Sequence, residues 1–120
     1  MDRVKWIEAK GKKILSMDYS GLKTTNELTE VLDAAIKETR PLPAGFLGLS
    51  NFADSSISSE FMDKINKAGK EVFLEKTDKA AVLGVTGVKS VLFQAYLRFT
   101  GAKTTRTFNS QDEAIAYLVS

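Results

Sequence analysis

Residues 79–101 read KAAVLGVTGVKSVLFQAYLRFTG, and this stretch decides the fold. Its first part, Lys79 to Val85, is a short apolar run that predicts a buried strand, and Thr86-Gly87 closes it. A helix is predicted from about Val88 to Thr100, with Gly101 in the position that favours a left-handed cap. A buried strand that leads directly into a helix is typical of the crossover unit of a parallel sheet.

The chain before this stretch repeats the same pattern. Residues 45–52 form a second apolar run and predict another buried strand. The helix that follows has Ser58 as its predicted N-cap. An earlier helix begins at the capping box Thr24-x-x-Glu27 and stops at Arg40-Pro41, because proline cannot continue a helix.

Both ends of the chain complete the order of elements. Residues 2–9 and 13–19 are extended runs around a glycine turn and predict a hairpin. A short strand over Thr104 to Phe108 precedes a last helix, which the capping box Ser110-x-x-Glu113 opens. The predicted order is ββαβαβαβα, an α/β fold with a mixed, largely parallel sheet of about five strands and four helices. We expect one domain over residues 1–120.

Composition narrows the range of functions. The chain has 120 residues, a formal net charge of +2, no cysteine and no histidine. A Ser-His-Asp triad, a Cys-His dyad and a histidine- or thiolate-ligated metal site are therefore impossible. We expect no enzyme, no cofactor, no metal and no nucleic-acid partner. With no signal-peptide-like run and no apolar stretch of about 20 residues, the expected location is the cytoplasm, without a transmembrane segment.

The predicted carboxyl ends of the strands carry the candidate binding residues, because open α/β sheets usually bind ligands there. Two of these loops lead into helix N-termini, which suit an anion. The alternative is that these side chains only cap helices and form turns. The candidates for binding a ligand or partner are Asp18, Tyr19, Ser20, Asn51, Asp54, Thr86 and Lys89.

The third predicted helix is apolar almost all round. Such a helix is deeply buried or packed on two sides, so its second face is predicted to meet another subunit or to line a pocket. Candidate interface residues are Phe93, Leu97 and Arg98. The segment from Lys76 to Gln111 also carries six basic residues against one acidic residue, a local charge of +5. This excess would favour an acidic partner or a lipid headgroup, and a solvated rim is the alternative.

Several segments resemble the SpoIIAA-like, STAS-related family of small bacterial proteins. They are residues 4–8, 11–15, 18–21, 57–62, 82–87 and 96–101. The resemblance implies relatives that are anti-sigma-factor antagonists, in which a partner kinase phosphorylates a serine of an Asp-Ser-Ser-Gly strand end. Asp54-Ser55-Ser56 falls in the corresponding loop, so Ser56, or failing it Ser55, would be the phosphate acceptor. Ile57 stands where that family has glycine.

Two functions of different classes follow. The first is a non-enzymatic regulatory module that binds a protein partner and is switched by serine phosphorylation in the loop after the third strand. The second is a domain that binds a small anionic metabolite or lipid through the strand-end loops and the apolar third helix, with Lys89 or Arg98 holding the anion. A chain of 120 residues needs most of its core for stability, so we expect no lipid-sized cavity.

Overall fold

A computed structural model describes all 120 residues and has the predicted α/β order. The five strands are β1 (Val4–Ala9), β2 (Lys12–Asp18), β3 (Phe46–Asn51), β4 (Thr77–Leu83) and β5 (Thr105–Phe108). The helices are α1 (Thr25–Thr39), α2 (beginning at Ser59), α3 (Val88–Thr100) and α4 (Gln111–Leu118). None of them combines the length and apolar character that crossing a membrane requires.

The sheet has its strands in the order β1-β2-β3-β4-β5. Strands β1 and β2 pair antiparallel, and the other three pairings are parallel, as the sequence predicts. The hairpin turns at Lys10 and Gly11, where both residues have positive φ, 50° and 77°. Two such residues in a two-residue loop match the right-handed twist of the flanking strands.

Two hydrophobic cores lie on opposite faces of this sheet. The larger one packs α1 and α2 against side chains such as Leu15, Met17 and Val82. The smaller one packs α4 against Ile14, Leu49 and Ala81. Because neighbouring strand residues point to opposite faces, Val82 and Ala81 belong to different cores. Helix α3 reaches the larger core only at its edge, through the half-buried Phe93.

Side chains predicted to cap the helices do so. Thr24 accepts a hydrogen bond from the Glu27 backbone N–H, Ser58 caps α2 through the Phe61 N–H, and Ser110 caps α4. Gly101 ends α3 in the left-handed conformation. These boundaries are set by local hydrogen bonds, which explains why they could be predicted.

Helix α2 contains one irregularity that the sequence pattern does not indicate. It is α-helical over Ser59–Ala68, π-helical over Gly69–Phe73, and α-helical again over Leu74–Lys76. Strand β4 follows immediately and begins at Thr77, two residues before the predicted start. Segments of π-helix are rare and occur frequently at functional sites.

Gly84 connects β4 to the loop after β3 through a very close backbone approach. It has φ of 75°, and a Cβ atom placed there would lie 2.3 Å from the backbone nitrogen of Ala53. Gly101 has a similar φ of 72° but no atom within 4 Å of the corresponding position. Substitutions at Gly84 and Gly101 can therefore be compared to separate the cost of backbone strain from the cost of a steric clash.

We expect Gly84→Ala to destabilise the protein much more than Gly101→Ala. The Gly101 variant should lose about 1–2 kcal/mol from left-handed strain alone. The Gly84 variant should lose more than about 3 kcal/mol, because the two backbones must also separate. Urea denaturation followed by circular dichroism measures both, and equal losses would contradict the close approach.

Candidate functional site

A cavity lies between the sheet and the pair of helices α2 and α3, on the face of the larger core. Its volume is about 120 Å³, and it is partly open to solvent. Its walls are predominantly apolar; they include Met17, Phe52, Ile57, Phe61, Ile65, Phe73, Val82, Val85, Leu92 and Phe93. The side chains therefore leave room beneath α3 that the core does not fill.

Small residues on the sheet create this space. Gly48 and Ser50 of β3 and Ala80 of β4 line the cavity. Gly48 and Ser50 lie two residues apart on β3 and therefore point to the same face. Gly48 pairs with Ala80 of the neighbouring strand β4. A Cβ atom at Gly48 would lie 3.2 Å from side-chain atoms of Met17 and Phe46, so a larger residue there would crowd these side chains and fill part of the floor of the cavity.

The roof of the cavity is fixed where α3 crosses α2 at Gly69. A Cβ atom at Gly69 would lie 2.6 Å from the Tyr96 hydroxyl oxygen and 2.9 Å from Cγ2 of Thr100. Gly69 is also the first residue of the π-helical segment. The absence of a side chain there lets Tyr96 lie directly on α2, and Thr100 is the one buried residue of α3.

The cavity has the size of known small-molecule cavities in proteins. It is slightly smaller than a cavity of about 150 Å³ that binds benzene. The volume of about 120 Å³ therefore suits a small molecule.

Two tyrosine side chains bring polar groups into these apolar walls. Tyr19 is 1% exposed, stacks on Phe52 with ring centroids 4.4 Å apart, and contacts Phe61 edge-on. Tyr96 stacks on Phe93 from α3. Neither phenol oxygen forms a hydrogen bond with another protein group, whereas the Tyr117 hydroxyl outside the cavity donates to the Thr104 carbonyl.

Burial controls the ionisation of both phenols. It raises the pKa of Tyr96 from 10.0 to about 12. It also raises the pKa of Tyr19, and the nearby Tyr96 and then Asp33 raise it further. Both side chains are therefore neutral hydrogen-bond donors at physiological pH.

Lys89 is the sequence-predicted candidate that lies in the cavity wall together with Tyr19. Its ammonium donates to the Phe52 carbonyl oxygen at 2.8 Å. That oxygen also accepts from the Ser55 hydroxyl at 2.6 Å. Lys89 thus connects the start of α3 to the loop after β3 at one end of the cavity, and Lys103 lies in the wall near the N-terminus of β5.

The other strand-end candidates form turns and surface contacts outside the cavity wall. Asp18 accepts hydrogen bonds from the backbone and side chain of Ser20 and pairs with Arg3 at 3.7 Å. The Asn51 side chain accepts from the Ala53 N–H. Thr86 is exposed. These contacts agree with the alternative that such residues shape turns.

The two candidate phosphate acceptors, Ser55 and Ser56, differ in their exposure to solvent. Ser55 is buried, with 8% exposure, and its hydroxyl is bonded to the Phe52 carbonyl. Ser56 is exposed, and its backbone N–H donates to the Leu22 carbonyl. Asp54, at φ 54°, pairs with Lys23 at 3.1 Å. A kinase would therefore reach the Ser56 hydroxyl and not that of Ser55.

The candidate interface residues of α3 face in different directions. Phe93 lines the cavity, Leu97 is half-buried, and Arg98 is exposed and lies outside the cavity wall. The apolar side chains that α3 presents to solvent are instead Val88, Val91 and Phe99, at 77%, 68% and 49% exposure.

Sequence reasoning missed the residues that make the cavity: Gly48, Ser50, Gly69, Ala80 and Tyr96. The sequence does contain one signal for the cavity. Gly48 and Ser50 are small residues on one face of a strand whose other face carries Leu47 and Leu49. The contact between Gly69 and Tyr96 joins two helices and has no local signal.

Comparison of the chain with protein-family models, with curated proteins and with solved structures finds no match. No group of three or more acidic side chains is placed to hold a metal ion. The site is therefore defined by its own geometry, which is that of an apolar cavity with two unpartnered phenols and a lysine in its wall.

Filling the cavity from the sheet should have little cost, whereas the same change one residue later should be damaging. Ala80 lines the cavity, and Ala81 is fully buried in the core on the other face. We expect Ala80→Leu to change stability by less than about 1 kcal/mol or to increase it, because it fills existing space. Ala81→Leu should cost about 1–3 kcal/mol through overpacking.

Denaturant unfolding of both variants measures these differences. Equal destabilisation by the two substitutions would show that the space beneath α3 is not open in solution.

Proposed function

We propose that this chain is a non-enzymatic binding domain whose ligand is a small, largely apolar molecule in the cavity beneath α3. The observation that carries the proposal is the cavity itself, about 120 Å³ in volume and lined mostly by hydrophobic side chains. Pockets of this kind, with few polar groups among apolar walls, are typical of small-molecule sites.

The way the cavity is built supports a binding role over a packing defect. Gly69, where the π-helical segment begins, lets Tyr96 and Thr100 of α3 pack directly on α2. The small residues on β3 and β4 nevertheless leave the floor of the cavity unfilled, which is unfavourable for packing when the cavity is empty. A ligand would recover the lost contacts, because it binds the folded state and not the unfolded chain.

Lys89 is the cation best placed for a ligand that carries an anionic group. Its ammonium keeps two protons beyond the one donated to the Phe52 carbonyl, and the side chain lies in the cavity wall. Arg98, the other predicted anion holder, is exposed and outside that wall. For an anionic metabolite, we therefore propose Lys89 as the contact.

Toluene is a suitable probe of the cavity, because it is apolar and of matching size. At about ten times its Kd, it should raise the Tm by about 3 °C or more. In a methyl NMR spectrum, the signals of Met17, Val82 and Leu92 should shift, whereas that of Leu118 on the opposite face should not.

Ala80→Leu is the control for this experiment, since it should occupy the same space and abolish the toluene effect. If toluene changes neither Tm nor these methyl signals in the unmodified protein, the proposed binding function is wrong.

A second candidate function is the regulatory interaction module, with Ser56 as its phosphate acceptor. The supporting observation is that Ser56 is exposed in a loop held next to the N-termini of α1 and α2, whose Thr25 and Ser58 hydroxyls share a hydrogen bond. Helix N-termini favour negative charge, and Lys23 is close by, bonded to Asp54. A phosphate on Ser56 would compete with Asp54 for Lys23 and so alter the surface offered to a protein partner.

Mass spectrometry of the protein isolated from its native cells tests this second function. We expect phosphate on Ser56 and none on Ser55, because the Ser55 hydroxyl is buried and already donates to a carbonyl oxygen. An unmodified Ser56 under several growth conditions would contradict the switch, and phosphate on Ser55 would contradict the assignment of the acceptor.

Four further expectations stay predictions: a protein partner, a homodimer through α3, a peripheral lipid contact and a cytoplasmic location. The exposed Val88, Val91 and Phe99 support a contact through α3, although they lie on a different side of the helix from Phe93.

A further inference from the structure

Tyr19 and Tyr96 are polar groups that the packing of the protein does not explain. Tyr19 is 1% exposed and Tyr96 is half-buried, and both line the cavity. Their hydroxyl groups have no hydrogen-bond partner in the protein, and neither oxygen is among the fully buried atoms without a partner, which are Thr29 Oγ1 and Asn66 Oδ1. The two hydroxyl groups are therefore free to donate to a molecule in the cavity. A phenylalanine at either position would keep the ring stacking and remove this donor.

From this pair we infer that the cavity selects a neutral ligand with one hydrogen-bond-accepting oxygen, such as a ketone or an ester carbonyl, which receives hydrogen bonds from Tyr19 and Tyr96. The inference rests on the proposed binding function and names the class of its ligand. The apolar body of the ligand would lie against the sheet, over Gly48 and Ala80.

The position of the tyrosines favours a neutral acceptor over a carboxylate. The walls around the two rings are formed by apolar side chains such as Phe52, Phe61 and Phe93, so a charged group held there would lose its hydration. The raised pKa of both phenols agrees with this. A carboxylate held against the tyrosines would meet the same penalty. Lys89 could offset that penalty only at its own end of the wall, where its ammonium is bonded to the Phe52 carbonyl oxygen.

Three compounds of similar size separate these possibilities. Toluene has no acceptor, acetophenone has a neutral carbonyl, and benzoate has a carboxylate. Their affinities are measured by NMR titration against the unmodified protein and against Tyr19→Phe and Tyr96→Phe. We expect acetophenone to bind at least about 10-fold more tightly than toluene, since two neutral hydrogen bonds are added.

Each tyrosine variant should lose about 3- to 10-fold in acetophenone affinity and should bind toluene as the unmodified protein does, within about twofold. Thr29→Val is the matched control. The Thr29 hydroxyl is also buried without a partner, but it belongs to α1 and lies outside the cavity wall. Its removal should leave all three affinities unchanged.

The outcomes distinguish this inference from the function on which it rests. Equal binding of toluene and acetophenone, or an acetophenone affinity that survives both tyrosine variants, would overturn the ligand class and leave the binding function standing. Benzoate as the tightest compound would also overturn it. If none of the three compounds binds, both proposals are wrong.

Discussion

The direction of the chain through the sheet is the constraint on which the other features depend. Strands β2 to β5 are parallel and lie in chain order, so each crossover steps to the next strand in the same direction. Right-handed crossovers of this kind place α1, α2 and α3 on one face. Helix α3 then lies at the end of a row, beside α2 and above the last two strands, and the other face is left to α4.

This placement divides the larger core into a tightly packed part and a looser part. Tyr19, Phe52 and Phe61 form an aromatic cluster with the buried side of α1, where residues such as Leu28 and Val31 are almost fully excluded from solvent. Helix α3 has Thr100 as its one buried residue and keeps large apolar side chains in solvent. Regions with few buried contacts open most readily, so α3 is the element best suited to admit a ligand.

The loop after β3 connects the two candidate functions. Phe52 lies in the cavity wall, and its carbonyl oxygen accepts from both Lys89 and Ser55, next to the exposed Ser56. A change at Ser56 and a ligand in the cavity would therefore act on the same short segment of backbone. Gly84 holds that segment against the end of β4, because a side chain there would meet Ala53.

The sequence by itself determined the elements, their order and most of their ends, because these depend on local patterns. Thr24, Ser58 and Ser110 cap helices as predicted, and the parallel sheet follows from the alternation of strands and helices. Lys89 and Tyr19 were also among the predicted site residues, on the strength of their positions at strand ends. The sequence left open whether α3 meets another subunit or lines a pocket. The tertiary structure decided that a cavity lies beneath α3, because Gly48 of β3, Ala80 of β4 and Tyr96 of α3 line one space, and Tyr96 packs on Gly69 of α2. Contacts between residues far apart in the chain have no local pattern, and whether their side chains fill or leave a volume is settled only when the elements pack.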